Sequence, residues 1–123
     1  MTYTLTAKFE ISVEEISDLI ETAGYGMNYW CEFGMYDAEK QTYEVRLDQE
    51  AQDGVDWETD TKVITYQEIV DAIQKLISGE VSVGNWIRES LVAEFISKDG
   101  GSMDSDGAEV VIQVALFGEI IFG

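Results

Sequence analysis

The sequence predicts an α+β fold, with a small, mostly antiparallel sheet and three to four helices in a single domain spanning residues 1–123. A chain of this length suits one domain, which on folding buries about two-thirds of the surface of the unfolded chain. Hydrophobic residues make up 46% of the sequence, enough for a core. Segments of period two alternate with segments of helical spacing, which is the pattern of mixed strands and helices.

The first segment predicts a strand that leads into a helix. Residues 2–11 alternate between apolar side chains at odd positions and polar ones at even positions, as in a half-buried strand. Ser12 and Glu15 then have the spacing of a capping box. Apolar residues recur at helical spacing until Gly24, which offers a left-handed stop.

The nearly uncharged stretch YGMNYWCEFGMY, residues 25–36, predicts a central strand. Alternation places Tyr29, Cys31 and Phe33 on one face. One side is expected to fill the core, and the other to pack under a helix or against a second copy of the chain. The turn DAEKQ and the alternating residues 42–47 complete an antiparallel hairpin.

The second half predicts a long loop followed by further helices. Residues 48–60 carry six carboxylates and Trp57 without a clear period, which indicates a loop. The segment KVITY predicts a short strand, and Thr65 with Glu68 predicts a second capped helix that ends at Gly79.

A third helix is predicted from about Asn85 to Ile96. Periodicity alone does not separate helix from buried strand over residues 108–117. Asp106 as a cap and the alanines favour a helix to Phe117 stopped by Gly118, with EIIF as a final strand.

Charge is the most unusual property of the chain. Asp and Glu number 25 against 7 Lys and Arg, a formal net charge of -18. Such a field repels nucleic acid and anionic membranes and attracts basic surfaces. Solubility, or adaptation to a salt-rich host, is the alternative explanation. We therefore expect a basic partner, no direct nucleic-acid binding and no membrane binding.

Compartment follows from the cysteine count and the hydropathy pattern. A single Cys excludes an internal disulfide framework and a multi-Cys metal site. The first residues lack the pattern of a secretory signal, and no stretch approaches the ~20 apolar residues of a membrane span. The expected location is cytoplasmic.

The sequence favours a protein that is not an enzyme. Histidine is absent, which removes the commonest general base and every Ser-His or Cys-His arrangement. Cys31 then has no activating base and is interpreted as structural. The SMDSDG segment has Ser102 and Gln113 where a calcium loop needs anchoring carboxylates, so we interpret it as a turn and helix cap. We predict no catalytic residues, metal or cofactor.

Acidic residues supply the leading candidates for a binding site. Spacings of four and three place Glu14, Asp18 and Glu21 on one helix face, which is either a solvated face or a row of charge that imitates backbone phosphates. Trp57, between acidic neighbours, either folds back on the core or anchors an interface with a basic partner. The predicted partner-binding residues are Glu14, Asp18, Glu21, Asp53, Asp56, Trp57, Glu58 and Asp60.

The aromatic stretch supplies an alternative site of a different class. Tyr29, Trp30 and Phe33 could stack on a nucleotide base. Arg46 or Arg88 would then hold its phosphate. The alternative function is a homo-oligomeric protein that sequesters a signalling nucleotide, and the small number of basic residues argues against it.

Two short motifs resemble a known group of proteins. NYWC at residues 28–31 and FGEIIFG at residues 117–123 resemble motifs of a family of small bacteriophage and prophage proteins. The resemblance implies a phage context, in which small acidic proteins often block a host defence component or sequester a signalling nucleotide. It carries no catalytic residues.

Charge and resemblance together predict a non-enzymatic acidic binding protein. We expect an inhibitor of a host defence system, of the anti-CRISPR or anti-restriction type, that occupies a basic nucleic-acid-binding surface. The nucleotide-sequestering oligomer is the alternative. A structural or assembly protein of the phage is a third hypothesis, for which a large closed oligomer would be the indication.

Overall fold

The computed structural model describes residues 9–52, 59–98 and 103–122. They form the predicted α+β fold, a three-stranded antiparallel sheet of order β1-β2-β3 surrounded by helices. The elements in chain order are α1 (Val13–Gly24), β1 (Cys31–Asp37), β2 (Thr42–Leu47), α2 (Gln49–Gln52), β3 (Thr61–Thr65), α3 (Tyr66–Ile77), α4 (Asn85–Leu91), a π-helical segment (Val92–Ile96) and α5 (Ser105–Phe117). Within the described residues no helix has the length and apolar character needed to cross a bilayer.

Both predicted capping boxes are confirmed. The hydroxyl of Ser12 accepts the Glu15 backbone N–H at 3.1 Å, and the hydroxyl of Thr65 accepts the Glu68 N–H at 3.2 Å. In each case the Glu side chain accepts the N–H of the capping residue in return. These reciprocal bonds satisfy backbone donors that the first turn of a helix leaves without partners, and so fix where α1 and α3 begin.

The left-handed stop predicted at Gly24 is wrong. Gly24 is the last residue of α1, and Tyr25 follows it in a right-handed conformation with φ -70°. Gly118 does end α5 as predicted, with φ 78°. A side chain is strained at such a φ, which explains glycine at that position.

The aromatic stretch does not form a central strand. The N–H groups of Trp30 and Cys31 both bond to the Met27 carbonyl, at 3.1 and 2.8 Å, so a turn occupies the positions before β1. β1 begins only at Cys31 and, within the described residues, is an edge strand that pairs with β2. An irregular register between Cys31 and Phe33 breaks the expected alternation. Phe33 is therefore exposed, whereas Cys31 is half-buried.

The core lies between one face of the sheet and the helices. On β2, Tyr43, Val45 and Leu47 are buried, while the residues between them face solvent. α5 packs against α1 and α3, and most of its side chains are buried. This explains why its sequence is apolar on nearly every side, and it confirms the predicted helix to Phe117.

The strand predicted at the C-terminal end is not found, and the strand predicted at the N-terminal end lies mostly outside the described residues. The segment from Glu119 to Phe122 has no strand, because its backbone groups bond to the side chain of Gln113 on α5. Residues 9–12 of the N-terminal prediction have no regular structure.

Candidate functional site

The acidic row predicted on the first helix is present. Glu14, Asp18 and Glu21 are all exposed on α1, on the side away from its buried apolar residues. We call these three residues the acidic face. Tyr36 on β1 donates a hydrogen bond from its hydroxyl to Glu21, and this bond raises the pKa of Tyr36. α1 contains no Lys or Arg, so no positive charge within the helix offsets the row.

The predicted acidic loop, residues 48–60, is described only at its two ends, and the loop prediction is wrong at the first of them, where Gln49–Gln52 form the short helix α2. Asp53, Asp56, Trp57 and Glu58 lie outside the described residues. Asp60 accepts the Nε of Arg46 at 2.9 Å and its Nη2 at 2.8 Å. The hydrogen bond from Arg46 lowers the pKa of Asp60. Asp60 is therefore held in an ion pair beside the sheet, unlike the acidic face.

The residues of the predicted nucleotide pocket do not share one surface. Trp30 is 1% exposed, so its ring has no free face on which a base could stack. Arg88 donates its Nε to the Ile77 carbonyl at the end of α3, at 2.8 Å. Phe33 and Arg46 are register partners on the sheet, and Arg46 is already paired with Asp60. Tyr29 and Trp30 do meet, but around a carboxylate.

That carboxylate, Glu109 on α5, is the feature that sequence patterns did not predict. Glu109 is 6% exposed. Its Oε1 accepts hydrogen bonds from the Tyr29 hydroxyl, from Trp30 Nε1 at 2.7 Å and from Gln113 Nε2 at 3.1 Å. All three donors are neutral, so the groups among the described residues that bond to this buried carboxylate are dipoles. Glu109 and Gln113, four residues apart in an otherwise apolar helix, are the signal that would have indicated a buried polar cluster.

The same cluster joins the two short motifs of the sequence. Trp30 stacks on Phe122, with ring centroids 5.1 Å apart and planes inclined by 16°. Phe117 meets Trp30 edge-on at 5.9 Å. Gln113 Oε1 accepts the N–H groups of Ile121 and Phe122 at 2.9 and 2.8 Å. The NYWC and FGEIIFG motifs are therefore packed together around α5.

A cleft of about 540 Å³ opens above this cluster. We call it the Glu109 cleft. Its apolar lining includes Val83, Ile87, Val110 and Ile120, and its acidic groups are Glu109 and Asp106. The hydroxyl of Tyr29 also lines it. Burial, the hydrogen bond to Glu109 and the charge of Glu109 all raise the pKa of Tyr29, so that hydroxyl remains a donor at neutral pH.

Other reactive groups show no arrangement for chemistry. Burial raises the pKa of the Cys31 thiol, and the charges of Asp48 and Glu32 add to this rise. A thiol in these surroundings is a poor nucleophile. Across the described parts of the chain, no cluster of three or more acidic or Cys side chains could hold a metal ion. Asp104, from the calcium-like segment, caps α5 by accepting the Gly107 N–H at 2.9 Å.

Comparison with known proteins adds no family. No protein-family model, curated protein or solved structure matches the chain. The candidate sites therefore rest on the geometry and charge of this chain alone.

Proposed function

We propose that the protein is a non-enzymatic acidic binding protein that inhibits a host defence component by occupying its basic, nucleic-acid-binding surface. The acidic face of α1 is the proposed contact, together with the acidic segment that contains Asp53, Asp56, Trp57 and Glu58. The phage context comes from the resemblance of the two motifs. The basic partner comes from the net charge of -18.

The observation that carries this proposal is the position of the Arg and Lys side chains in the fold. Several cationic side chains are engaged with backbone or side-chain groups of other elements: Arg46 with Asp60, Lys62 with the Leu116 carbonyl, Arg88 with the Ile77 carbonyl and Lys98 with Glu15. Two of these contacts satisfy carbonyls at the ends of α3 and α5, where cations are favourable. The few cations thus stabilise the fold, and the acidic face stays uncompensated by its own helix.

A solvated face is the competing explanation, and salt dependence with matched variants separates the two. The test variant carries Glu14→Gln, Asp18→Asn and Glu21→Gln. The control variant carries Glu50→Gln, Glu80→Gln and Glu89→Gln, three exposed carboxylates of other elements. Both variants change the net charge by the same amount. Any difference between them therefore reports position rather than total charge.

The experiment is capture of a partner from a bacterial lysate on immobilised protein at low salt, followed by titration of the captured protein. At about 0.5 kcal/mol for each exposed charge pair, the test variant should bind about tenfold more weakly. The control variant should bind as the parent does. Double-stranded DNA should compete with the acidic protein for the partner. Equal loss in both variants, or binding that high salt leaves unchanged, would contradict the proposal.

Trp57 and its acidic neighbours are tested separately. Trp57→Ala should weaken binding at all salt concentrations, because an anchoring Trp contributes through burial. Neutralising Asp53, Asp56 and Glu58 should instead reduce the salt dependence. If neither change alters the affinity, residues 53–58 are not part of the contact. The role of the acidic face is then tested only by the variant that carries Glu14→Gln, Asp18→Asn and Glu21→Gln.

A further inference from the structure

We infer that the Glu109 cleft binds an organic cation, a single ammonium or guanidinium group carried on a short apolar stem. This inference goes beyond the proposed function, because the cleft shares no residue with the acidic face. It rests on the charge of one buried side chain, on the space beside that side chain and on the lining of the cleft.

The first observation is a buried carboxylate without a cation. Glu109 is nine-tenths buried, and the groups that bond to it are a phenol, an indole and an amide. The ion pairs among the described residues join other carboxylates, those of Asp60, Glu32 and Glu15. A buried charge is costly unless it is paired as well as hydrogen-bonded. A cation entering from solvent would supply the missing charge.

The second observation is the free side of this carboxylate. Every hydrogen bond that Glu109 accepts from the described residues ends on Oε1. Oε2 lies beside Gly26, where an added Cβ would be 3.1 Å from it. Gly26 and Glu109 both line the cleft, and a side chain at position 26 would crowd the oxygen that has acceptor capacity left.

The third observation is the chemistry of the walls. Val83, Ile87, Val110 and Ile120 give the cleft apolar walls, and Asp106 adds a second negative charge at an exposed position. A hydrated metal ion would need several oxygen ligands, and an anionic nucleotide would be repelled. An apolar stem that ends in one positive group matches both the walls and the carboxylate. Such a group occurs on an Arg or Lys side chain of a partner protein and in a small free amine.

The test is a titration with n-butylguanidinium, followed through the NMR signal of the Trp30 indole N–H. That N–H donates to Glu109 at 2.7 Å, so it reports directly on the carboxylate. We expect a saturable shift with n-butylguanidinium and a much weaker one with neutral n-butylurea. A second arm uses the peptide acetyl-Gly-Arg-Gly-amide. Tighter binding of the peptide indicates a partner side chain, and tighter binding of the small cation indicates a free amine.

Three variants decide whether the signal comes from the cleft. Glu109→Gln keeps the shape and removes the charge, and should weaken n-butylguanidinium binding at least about tenfold. Gly26→Ala keeps the charge and fills the space beside Oε2, and should weaken binding similarly. Glu89→Gln removes an exposed carboxylate that does not line the cleft, and should have no effect.

The inference fails if n-butylurea binds as well as n-butylguanidinium, or if binding survives both cleft variants. If Glu109→Gln does not fold, Gly26→Ala decides alone, because it removes neither the carboxylate nor any of the groups that bond to it. A failure here leaves the acidic-face experiment unaffected. That experiment uses none of the cleft residues.

Discussion

At the scale of single residues, Gly34 on β1 packs closely against Tyr43 on β2. A Cβ at Gly34 would lie 2.6 Å from the Tyr43 hydroxyl oxygen and 3.2 Å from two ring carbons. Tyr43 is buried, so its ring has little room to move. We therefore expect Gly34→Ala to lower the free energy of unfolding by about 1–3 kcal/mol, the usual cost of overpacking.

Chemical denaturation measures this cost against a matched control. A Cβ at Gly24, the last residue of α1, would meet no atom within 4 Å. Gly24→Ala should be neutral or stabilising by up to about 1 kcal/mol, because alanine is the better helix former. A Gly34→Ala protein as stable as the Gly24→Ala protein would show that the Tyr43 ring moves freely.

The side chain of Lys98 joins two parts of the fold. Its Nζ donates to the Glu10 carbonyl at 2.6 Å and to Glu15 Oε2 at 3.1 Å, tying the start of α1 to the residues after the π-helical segment. Burial raises the pKa of Glu15, but the hydrogen bonds from Lys98 and Ser12 outweigh it and lower the pKa below its ordinary 4.5. Lys98→Met should cost about 0.2–1 kcal/mol at pH 7, as expected for a partly exposed pair.

The sign of the pH dependence follows from the lowered pKa of Glu15. A carboxyl whose pKa is lower in the folded protein contributes stability above its unfolded pKa and loses it as the pH falls through the folded value. The stability difference between the parent protein and Lys98→Met should therefore be largest near neutral pH and shrink below about pH 4.5. Unfolding curves of both proteins from pH 7 to pH 3 measure it. A difference that stays constant would show that Lys98 acts only through the Glu10 carbonyl.

At the scale of elements, the C-terminal segment is held by a side chain rather than by a sheet. Gln113 bonds to the backbone of Ile121 and Phe122, and Phe122 covers the ring of Trp30. Gln113→Met preserves the side-chain volume but removes these bonds. We expect a loss of about 1–3 kcal/mol. The amide protons of Ile121 and Phe122 should also exchange faster with solvent.

Hydrogen exchange followed by NMR distinguishes this local release from general destabilisation. Buried amides of β2, such as that of Val45, should keep their exchange rates relative to the global unfolding free energy. Uniform acceleration of all amides would mean that the segment and the core open together. Unchanged exchange at Ile121 and Phe122 would mean that ring packing on Trp30 holds the segment without Gln113.

Sequence patterns predicted the helix ends well where residues close together in the chain determine them. Capping boxes at Ser12 and Thr65, and the left-handed glycine after α5, depend on residues within one turn of each other. The strand predictions are wrong for the part of the aromatic stretch before Cys31 and for the EIIF segment, because distant contacts decide their structure, whereas the hairpin of Cys31–Asp37 with Thr42–Leu47 is confirmed. Both patterns suit a strand, yet both segments pack on α5 through Glu109 and Gln113. Such long-range contacts do not change the spacing of apolar residues within each segment, so periodicity does not predict them.

The same contrast applies to the candidate sites. The acidic face could be predicted because helical spacing alone brings Glu14, Asp18 and Glu21 together. The Glu109 cleft needs residues separated by about eighty positions in the chain, from Tyr29 to Glu109. The spacing of Glu109 and Gln113 among apolar residues is a weak signal among 25 acidic residues, and it does not show which distant groups bond to Glu109. The spacing of charged residues in the sequence therefore predicts a charged surface more readily than it predicts a buried charged residue.

At the scale of the whole molecule, a net charge of -18 on one small domain should make stability depend strongly on salt. Like charges repel more in the compact folded state than in the expanded chain, and added salt screens this repulsion. The melting temperature should therefore rise between 20 and 500 mM NaCl, by about 4 °C for each kcal/mol of repulsion relieved. Choline chloride should act as NaCl does if screening is the cause, whereas an effect of NaCl alone would indicate a bound sodium ion.

The variant with a neutralised acidic face should melt higher at low salt and gain less from added salt. If its melting temperature responds to salt as that of the parent does, the three carboxylates are too well solvated to repel each other. We would then expect them to contribute less to the affinity for a basic partner.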